Sequence, residues 1–146
     1  MSFELIPAMR IASSGLAAEN ARMTVAANNL ANVNSTKDIN GKGPYQRREL
    51  VFQAVFQDAL NHGSDGVKQL DGVKISSLER NNGSPISTYM PYHPAADKNG
   101  MVAMPNIQPI KEMVDMVSAN RSYEANLSVI KQSKEMAKRT IDLGKR

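Results

Sequence analysis

Two histidines and one nearby aspartate come closest to catalytic or metal-binding chemistry in this sequence. His62 and His93 are 31 residues apart, which fits none of the usual metal-ligand spacings. Asp97 follows His93 by four positions and could orient it as a base, but no nucleophile lies nearby in the sequence. We therefore interpret His93 as a structural residue in a proline-bounded loop.

The run Gly41-Lys42-Gly43 is the next candidate for ligand chemistry. A phosphate-binding loop would follow a strand and continue as GKS or GKT, and this run does neither, so we interpret it as a turn. The chain has no cysteine, which excludes disulfides, thiolate metal sites and a cysteine nucleophile. We expect no enzyme activity, no cofactor and no metal ion.

The net charge of +4 comes from the last sixteen residues. Residues 131–146 hold six Lys or Arg and two Asp or Glu, whereas residues 1–130 hold twelve of each. A nucleic-acid-binding domain is basic over a whole face, so we expect no nucleic-acid partner. An alternative is a coiled-coil adaptor that binds acidic surfaces through its basic C-terminal helix. Against it, Glu135 and Asp142 dilute the charge, and no aromatic residue follows Tyr123.

The sequence contains neither a membrane span nor a secretory signal. No window approaches the 18 consecutive apolar residues of a transmembrane helix. The N-terminus lacks a basic start, and Glu4 and Pro7 break its apolar run. We expect a protein of the cytosol, or one exported without a cleaved signal peptide.

Both ends of the chain carry apolar residues at helical spacing. From about residue 7 to 33 the stripe comprises Met9, Ala12, Leu16, Met23, Ala26, Leu30 and Val33. From about residue 110 to 143 it comprises Met113, Met116, Asn120, Tyr123, Leu127, Ile130, Lys134, Ala137 and Ile141. Alternating steps of three and four predict a helix at each end, and two such stripes favour pairing as a coiled coil. Because Glu19 interrupts the first stripe and the second includes Asn120 and Lys134, we expect neighbouring chains to supply further contacts.

The middle of the chain is rich in turn dipeptides such as Asn82-Gly83 and Asn99-Gly100. Alternation around Val73–Ser77 predicts a short strand, and residues 86–92 and 101–104 are two more candidates. Residues 46–61 fit a helix or a strand that ends in a bend. The fold class is therefore mainly α with a small β or irregular middle. The organisation is an N-terminal helix in residues 1–36, a loop-rich insert in 37–109 and a C-terminal helix in 110–146.

Both ends also carry recognisable motifs. Ser14-Gly15-Leu16-Ala17-Ala18, Arg22-Met23 and the run from Ala27 to Thr36 resemble the N-terminal signature of flagellar rod and hook proteins. The C-terminal half is similar to the C-type rod proteins of the flagellar basal body. The residues that carry this similarity are His93-Pro94-Ala95-Ala96-Asp97, Gly100, Val102, Pro105-Asn106, Glu112-Met113-Val114-Asp115-Met116, Ala119, Arg121 and Tyr123-Glu124-Ala125-Asn126.

The resemblance implies a structural subunit of the proximal rod, a helical tube in the periplasm that transmits torque to the hook. It also implies self-association through the terminal helices, contacts with other rod subunits and with basal-body ring and hook-basal junction proteins, and passage through the flagellar type III export apparatus. That route agrees with the absence of a cleaved signal peptide. The alternative within the family is a B-type rod protein, which would differ in its position along the rod.

The helix stripes and the asparagines between them supply the candidate assembly interface. Its residues are Leu16, Met23, Asn28, Asn29, Leu30, Asn32, Met113, Met116, Asn120, Tyr123, Asn126, Leu127 and Ile130. Amides both donate and accept hydrogen bonds, so those inside the helices can link subunits. Phe52 and Phe56 resemble the export signal that early rod and hook substrates carry.

Overall fold

In the part of the chain that the structure describes, two long helices flank four strands along the sequence. The structure is a computed structural model and describes residues 5–37, 43–58 and 68–144. The elements are α1 (Leu5–Ala31), β1 (Arg48–Asp58), β2 (Lys68–Arg80), β3 (Ile86–Tyr89), β4 (Met101–Met104) and α2 (Pro109–Gly144). Both helices lie within about two residues of their predicted bounds, so the mainly α class with a small β insert is confirmed. The Asn40-Gly41 and Gly41-Lys42 turns lie outside the described residues.

The strands form two separate two-stranded sheets. One sheet pairs β1 with β2, so residues 48–58 of the ambiguous segment 46–61 form a strand, and residues 59–61 lie outside the described residues. The other pairs β3 with β4 in antiparallel register, with Ile86 opposite Met104 and Tyr89 opposite Met101. The strand at 101–104 is confirmed. The strand predicted to reach residue 92 ends at Tyr89. Met90 still bonds to the carbonyl of Gly100, in register with the ladder, but Pro91 has no N–H to continue the pairing.

The described chain divides into two compact units. The first takes Met1–Ala21, Val51–Ser77 and Ser118–Arg146, and its buried apolar residues are Ala12, Ala18 and Ala119. The second takes Arg22–Leu50 and Leu78–Val117, and its buried apolar residues are Ala26, Tyr45, Val102 and Ile107. The buried alanines of the first unit allow its helices and strands to approach closely, whereas larger side chains fill the centre of the second. None of the helices in the described ranges has the length and apolar character that a bilayer crossing requires.

Candidate functional site

A buried asparagine lies at the centre of the second unit. Asn29, in α1, has a side chain that is 1% exposed. Its amide nitrogen donates to the carbonyl of Arg48 at 2.9 Å and to Oε2 of Glu112 at 3.0 Å. Its amide oxygen accepts from the N–H of Arg48 at 3.0 Å and from the hydroxyl of Tyr45 at 3.1 Å. The side chain therefore makes the four hydrogen bonds that an amide can make, and it holds the start of β1 against α1.

Glu112 is equally enclosed and brings a charge into the same cluster. It lies in the first turn of α2, where the helix dipole favours a carboxylate, and it is 1% exposed. Oε2 accepts from Asn29, and Oε1 accepts from Nε of Arg47 at 2.7 Å. Each oxygen of the buried carboxylate thus has a partner. These contacts offset the desolvation cost of burying the charge.

Arg47 is the cation of the cluster. Burial alone would lower the pKa of Arg47. The hydrogen bond and charge of Glu112, together with Glu49, outweigh that effect and raise the pKa above its ordinary value. Its Nη1 lies 2.9 Å from a carboxylate oxygen of Glu49, and Nη2 lies 3.8 Å from Asp115. We refer to Asn29, Tyr45, Arg47 and Glu112 as the amide–carboxylate cluster.

The segment before β1 is positioned by the residue that follows β2 and by a ring contact of its own. The carbonyl of Arg47 accepts from the N–H of Asn81 at 2.8 Å, immediately after β2 ends. The guanidinium of Arg48 lies 5.5 Å from the ring centroid of Tyr45, within the range of a cation–π contact. The cluster has the chemistry of a structural joint, because every polar group in it is engaged by another part of the same chain.

The first unit contains a second joint, between β2 and α1. The hydroxyl of Ser14 donates to the carbonyl of Ile11 at 2.7 Å and accepts from the N–H of Val73 at 3.1 Å. Gly72 has φ +126°, and a Cβ there would lie 2.4 Å from the Ser14 hydroxyl. Glycine is therefore required by both backbone conformation and space. An ion pair between Arg10 and Asp71 joins the same two elements.

The two helices also touch directly in each unit. In the first, a Cβ on Gly15 would lie 2.8 Å from the amide nitrogen of Asn126, so α1 passes close to α2 at this position. In the second, Arg22 lies 3.6 Å from Asp115, and Asn29 bonds to Glu112. In that unit the residue numbers of the contacts rise along α1 as they fall along α2, so the two helices run antiparallel there.

The same two helices carry the similarity to known proteins. Residues 9–37 match a family model described as flagella basal body rod protein, and residues 98–143 match one described as flagellar basal body rod FlgEFG protein C-terminal. The chain is 41% identical over 139 residues to the flagellar basal-body rod protein FlgC of Agrobacterium fabrum, covering 95% of this chain and 94% of the relative.

Two further relatives have the same description. The protein of Salmonella typhimurium is 41% identical over 134 residues, with 92% of this chain and 93% of the relative covered. That of Bacillus subtilis is 36% identical over 144 residues, with 94% and 96% covered. The chain belongs to the flagellar basal-body rod protein family. Its relatives are structural rod proteins, and neither matching family model describes an enzyme.

The rod-protein motifs contain the residues that join the parts of the fold. Asn29 and Ser14 lie in the first matched range and Glu112 in the second, whereas Tyr45 and Arg47 lie between the two ranges. The motif residues Ser14, Gly15 and Asn29 were singled out in the sequence, but for assembly or resemblance rather than for these contacts. Arg47, Tyr45 and Glu112 were not identified as cluster residues by sequence reasoning.

The candidate assembly residues differ in how far their own chain covers them. Asn29 is buried, and its amide is fully engaged within the chain. Three are exposed, namely Asn28, Met113 and Asn120. The others are half-buried, namely Leu16, Met23, Leu30, Asn32, Met116, Tyr123, Asn126, Leu127 and Ile130. Their role in assembly stays a prediction.

The structure also shows the local surroundings of three candidate residues, namely Asn120, Phe52 and His93. The amide of Asn120 donates to Glu124 at 3.1 Å along α2. Phe52 in β1 is exposed, whereas the side chain of Phe56 lies outside the described part of the structure. Nδ1 of His93 accepts from the N–H of Ala95 at 3.1 Å, which is the structural role expected of that histidine.

Proposed function

We propose that this chain is a structural subunit of the proximal rod and that it polymerises through its terminal helices into the torque-transmitting tube. Similarity to basal-body rod proteins over more than nine-tenths of the chain carries the proposal. Its partners are other copies of itself, other rod subunits, and ring and hook-basal junction proteins. It reaches the rod in the periplasm through the type III export apparatus without a cleaved signal peptide. The exposed Phe52 and the neighbouring Phe56 serve as its export signal.

One face of α2 supports assembly through this helix. Ile110, Val114 and Val117 are 78%, 62% and 54% exposed, and their spacing of four and three places them on one side of the helix. Glu112, on the opposite side, is 1% exposed. A row of large apolar side chains in water is unfavourable, and such patches usually mark a protein contact. We call these three residues the outer α2 face and propose that a neighbouring rod subunit covers it.

The contacts between α1 and α2 support their pairing as the axial part of the subunit. The close approach at Gly15 and Asn126 and the bond between Asn29 and Glu112 each join the helices within one unit. We propose that the pairing continues as a coiled coil, with its remaining sides covered by adjacent subunits. The division into terminal helices of residues 1–36 and 110–146 and an insert of 37–109 belongs to the same proposal.

A single substitution on the outer α2 face tests the proposed function. In cells that carry this chain as their sole copy, Val114→Asp introduces a charge that must be buried on assembly, at a cost of several kcal/mol if it stays ionised. We expect a normal amount of protein, no completed rods and no swimming. Thr140→Asp is the matched control, because Thr140 is also exposed on α2 but lies on a different side of the helix from the apolar row. Normal rods and swimming with Val114→Asp would contradict assembly through this face.

A further inference from the structure

The loop between β3 and β4 is held in one conformation by its own hydrogen bonds. The N–H of Met90 bonds to the carbonyl of Gly100 at 2.9 Å, and the N–H of Asp97 bonds to the carbonyl of Met101 at 2.9 Å. Oδ1 of Asp97 accepts from the N–H groups of Asn99 at 2.8 Å and Met101 at 2.9 Å. The loop is therefore preorganised, and a contact made through it would lose little entropy on binding.

Gly100, at the end of this loop, leaves room for the rings of Tyr89 and Pro91 to pack against the backbone. Gly100 has φ +73°, and a Cβ there would lie 2.9 Å from the ring of Tyr89 and 3.2 Å from Cβ of Pro91. Tyr89 and Pro91 thus pack onto the loop and fix the position of the residue that follows. That residue is Tyr92.

Tyr92 projects from the loop into water. Its side chain is 100% exposed, although tyrosine has a large apolar ring that usually gains by burial. A rigidly held, unburied tyrosine is the typical anchor residue of a protein–protein contact. The loop and its exposed aromatic ring therefore have the properties of a binding projection.

A cavity that fits such a ring lies in the same compact unit. Its volume is about 280 Å³, slightly below the smallest pockets that hold drug-sized ligands, at ~300 Å³. Its lining comprises Gly43, Pro44, Tyr45, Gln46, Arg47, Asn81, Gly83, Pro85, Pro105 and Asn106. The proline rings provide apolar walls for an aromatic face, and the amides of Asn81 and Asn106 can bond to a phenol hydroxyl. The cavity therefore has the size and chemistry to receive one tyrosine side chain.

The projection and the cavity lie at opposite ends of the same hairpin. Tyr92 follows the pair Tyr89–Met101 at one end, and Pro85 and Pro105 flank the pair Ile86–Met104 at the other. The two sites are different surfaces of one chain, so one copy can contact a different neighbour through each of them, which is a head-to-tail arrangement. A contact of that type does not close around a two-fold axis, and its repetition generates a ring or a helical filament.

We infer that Tyr92 of one copy of this chain inserts into the cavity between Pro44, Pro85 and Pro105 of the next copy. The inference rests on the proposed function, in which copies of the chain associate, and it specifies a contact outside the terminal helices. The ring stacks against the prolines, and the hydroxyl bonds to the amide of Asn81 or Asn106. The rigid loop gives this lateral contact a fixed direction.

The absence of native cysteine allows a direct crosslinking test. In basal bodies from cells expressing only the variant, Tyr92→Cys is combined with Gln46→Cys, an exposed position on the cavity lining. A short bis-maleimide should convert the double variant into dimers and higher multimers of this chain, whereas each single variant should stay monomeric. Tyr92→Cys combined with Gln132→Cys, at an exposed position of α2, is the control and should give no multimers.

Three results would overturn the inference while leaving the rod assignment intact. Basal bodies that contain the double variant but yield only monomers would place Tyr92 away from the cavity. Dimers of the single Tyr92→Cys variant would indicate a symmetric contact, and adducts with another protein would identify a different occupant. By contrast, absence of the wild-type chain from basal bodies would contradict the proposed function itself.

A second variant retains the native tyrosine in case Tyr92→Cys prevents assembly. A photo-crosslinking amino acid at position 46 should capture a second copy, with the junction at Tyr92 by mass spectrometry. A junction elsewhere, or no dimer in assembled rods, would overturn the inference. Tyr92→Phe should preserve swimming and Tyr92→Ala should reduce it severalfold, because the ring supplies most of the contact area. Equal swimming speeds for Tyr92→Ala and wild type would also count against the contact.

Discussion

The amide of Asn29 donates a hydrogen bond to the carboxylate of Glu112 across 3.0 Å, and each side chain is 1% exposed. The two residues are 83 positions apart and lie on the two helices that enclose the insert. The bond therefore links α1 to α2 through a site from which water is excluded. Arg47 balances the charge of Glu112, so the strength of the joint depends on all three residues.

The first prediction concerns the amide of Asn29. Asn29→Asp removes both donors and places a second carboxylate beside Glu112. We expect the free energy of unfolding to fall by about 3 kcal/mol, because two buried acceptors lose their donor and two like charges meet. Asn28→Asp is the control, since Asn28 is exposed, and should change stability by less than about 0.5 kcal/mol. Urea unfolding of the purified proteins measures both values, and equal losses would contradict a structural role for Asn29.

The second prediction concerns the geometry of Arg47. Its Nε bonds to Glu112 while Nη1 bonds to Glu49, and a lysine has one nitrogen for both. We expect Arg47→Lys to lower the free energy of unfolding by roughly 1–3 kcal/mol. Arg47→Met combined with Glu112→Gln should lose less than the sum of the single variants, because the pair is coupled. Additive losses in this double-mutant cycle would show that the ion pair contributes nothing.

The Arg47 effect should also be independent of pH over the working range. The folded pKa of Arg47 is raised above its unfolded value, so its stabilisation is complete below the unfolded pKa and is lost only as pH rises through the folded pKa. Both values lie far above neutral pH. The stability difference between wild type and Arg47→Lys should therefore be the same at about pH 6 and pH 8. A difference that varied between these pH values would assign the effect to another group.

The third prediction concerns the approach of β2 to α1. In Gly72→Ala the added methyl group would overlap the Ser14 hydroxyl, and the backbone has an unfavourable φ of +126°. Gly43 has φ +86°, and no atom lies within 4 Å of the methyl group that alanine would add there. We expect Gly72→Ala to cost roughly 2–4 kcal/mol and Gly43→Ala about 1 kcal/mol. The difference isolates the steric part. Thermal unfolding of the two variants measures it, and similar melting temperatures would rule out close packing at Gly72.

The fourth prediction concerns the half-buried part of the helix stripes. Leu30→Asp and Leu127→Asp each place a charge in the proposed helix contact, and we expect cells with either variant to make the protein yet lack completed rods. Circular dichroism of the purified variants distinguishes lost assembly from lost folding, since helix content near that of wild type is expected. Normal swimming with Leu127→Asp at native expression would show that this face is not buried in the tube.

Local periodicity was sufficient to predict the helices but not the pairing of strands. Spacings of three and four act within one segment, so α1 and α2 could be located from the sequence alone. In residues 46–61 the apolar residues Leu50, Val51, Phe52 and Val55 satisfy both helical and extended periods. Residues 48–58 form a strand that pairs with β2, and the partner of a strand is information that the segment itself does not contain.

The amide–carboxylate cluster illustrates the same limit for the site. Asn29 stood out because it belongs to a recognisable motif. Glu112 also belongs to a motif, but that motif does not show what the carboxylate contacts. Arg47 looks like an ordinary surface charge in its local sequence, and 65 positions separate it from Glu112. Only the folded chain brings them together and excludes water, so their burial could not be read from composition, spacing or motif.

An electron cryo-microscopy map of the basal body, with this chain traced, would show whether the chain assembles through its terminal helices. We predict that the chain lies in the proximal rod, with α1 and α2 in its axial part and a neighbouring subunit covering Ile110, Val114 and Val117. The exposed fraction of these three side chains should fall to near zero in the assembled rod. A rod without this chain, or one in which these residues face solvent, would show that assembly through this face is wrong.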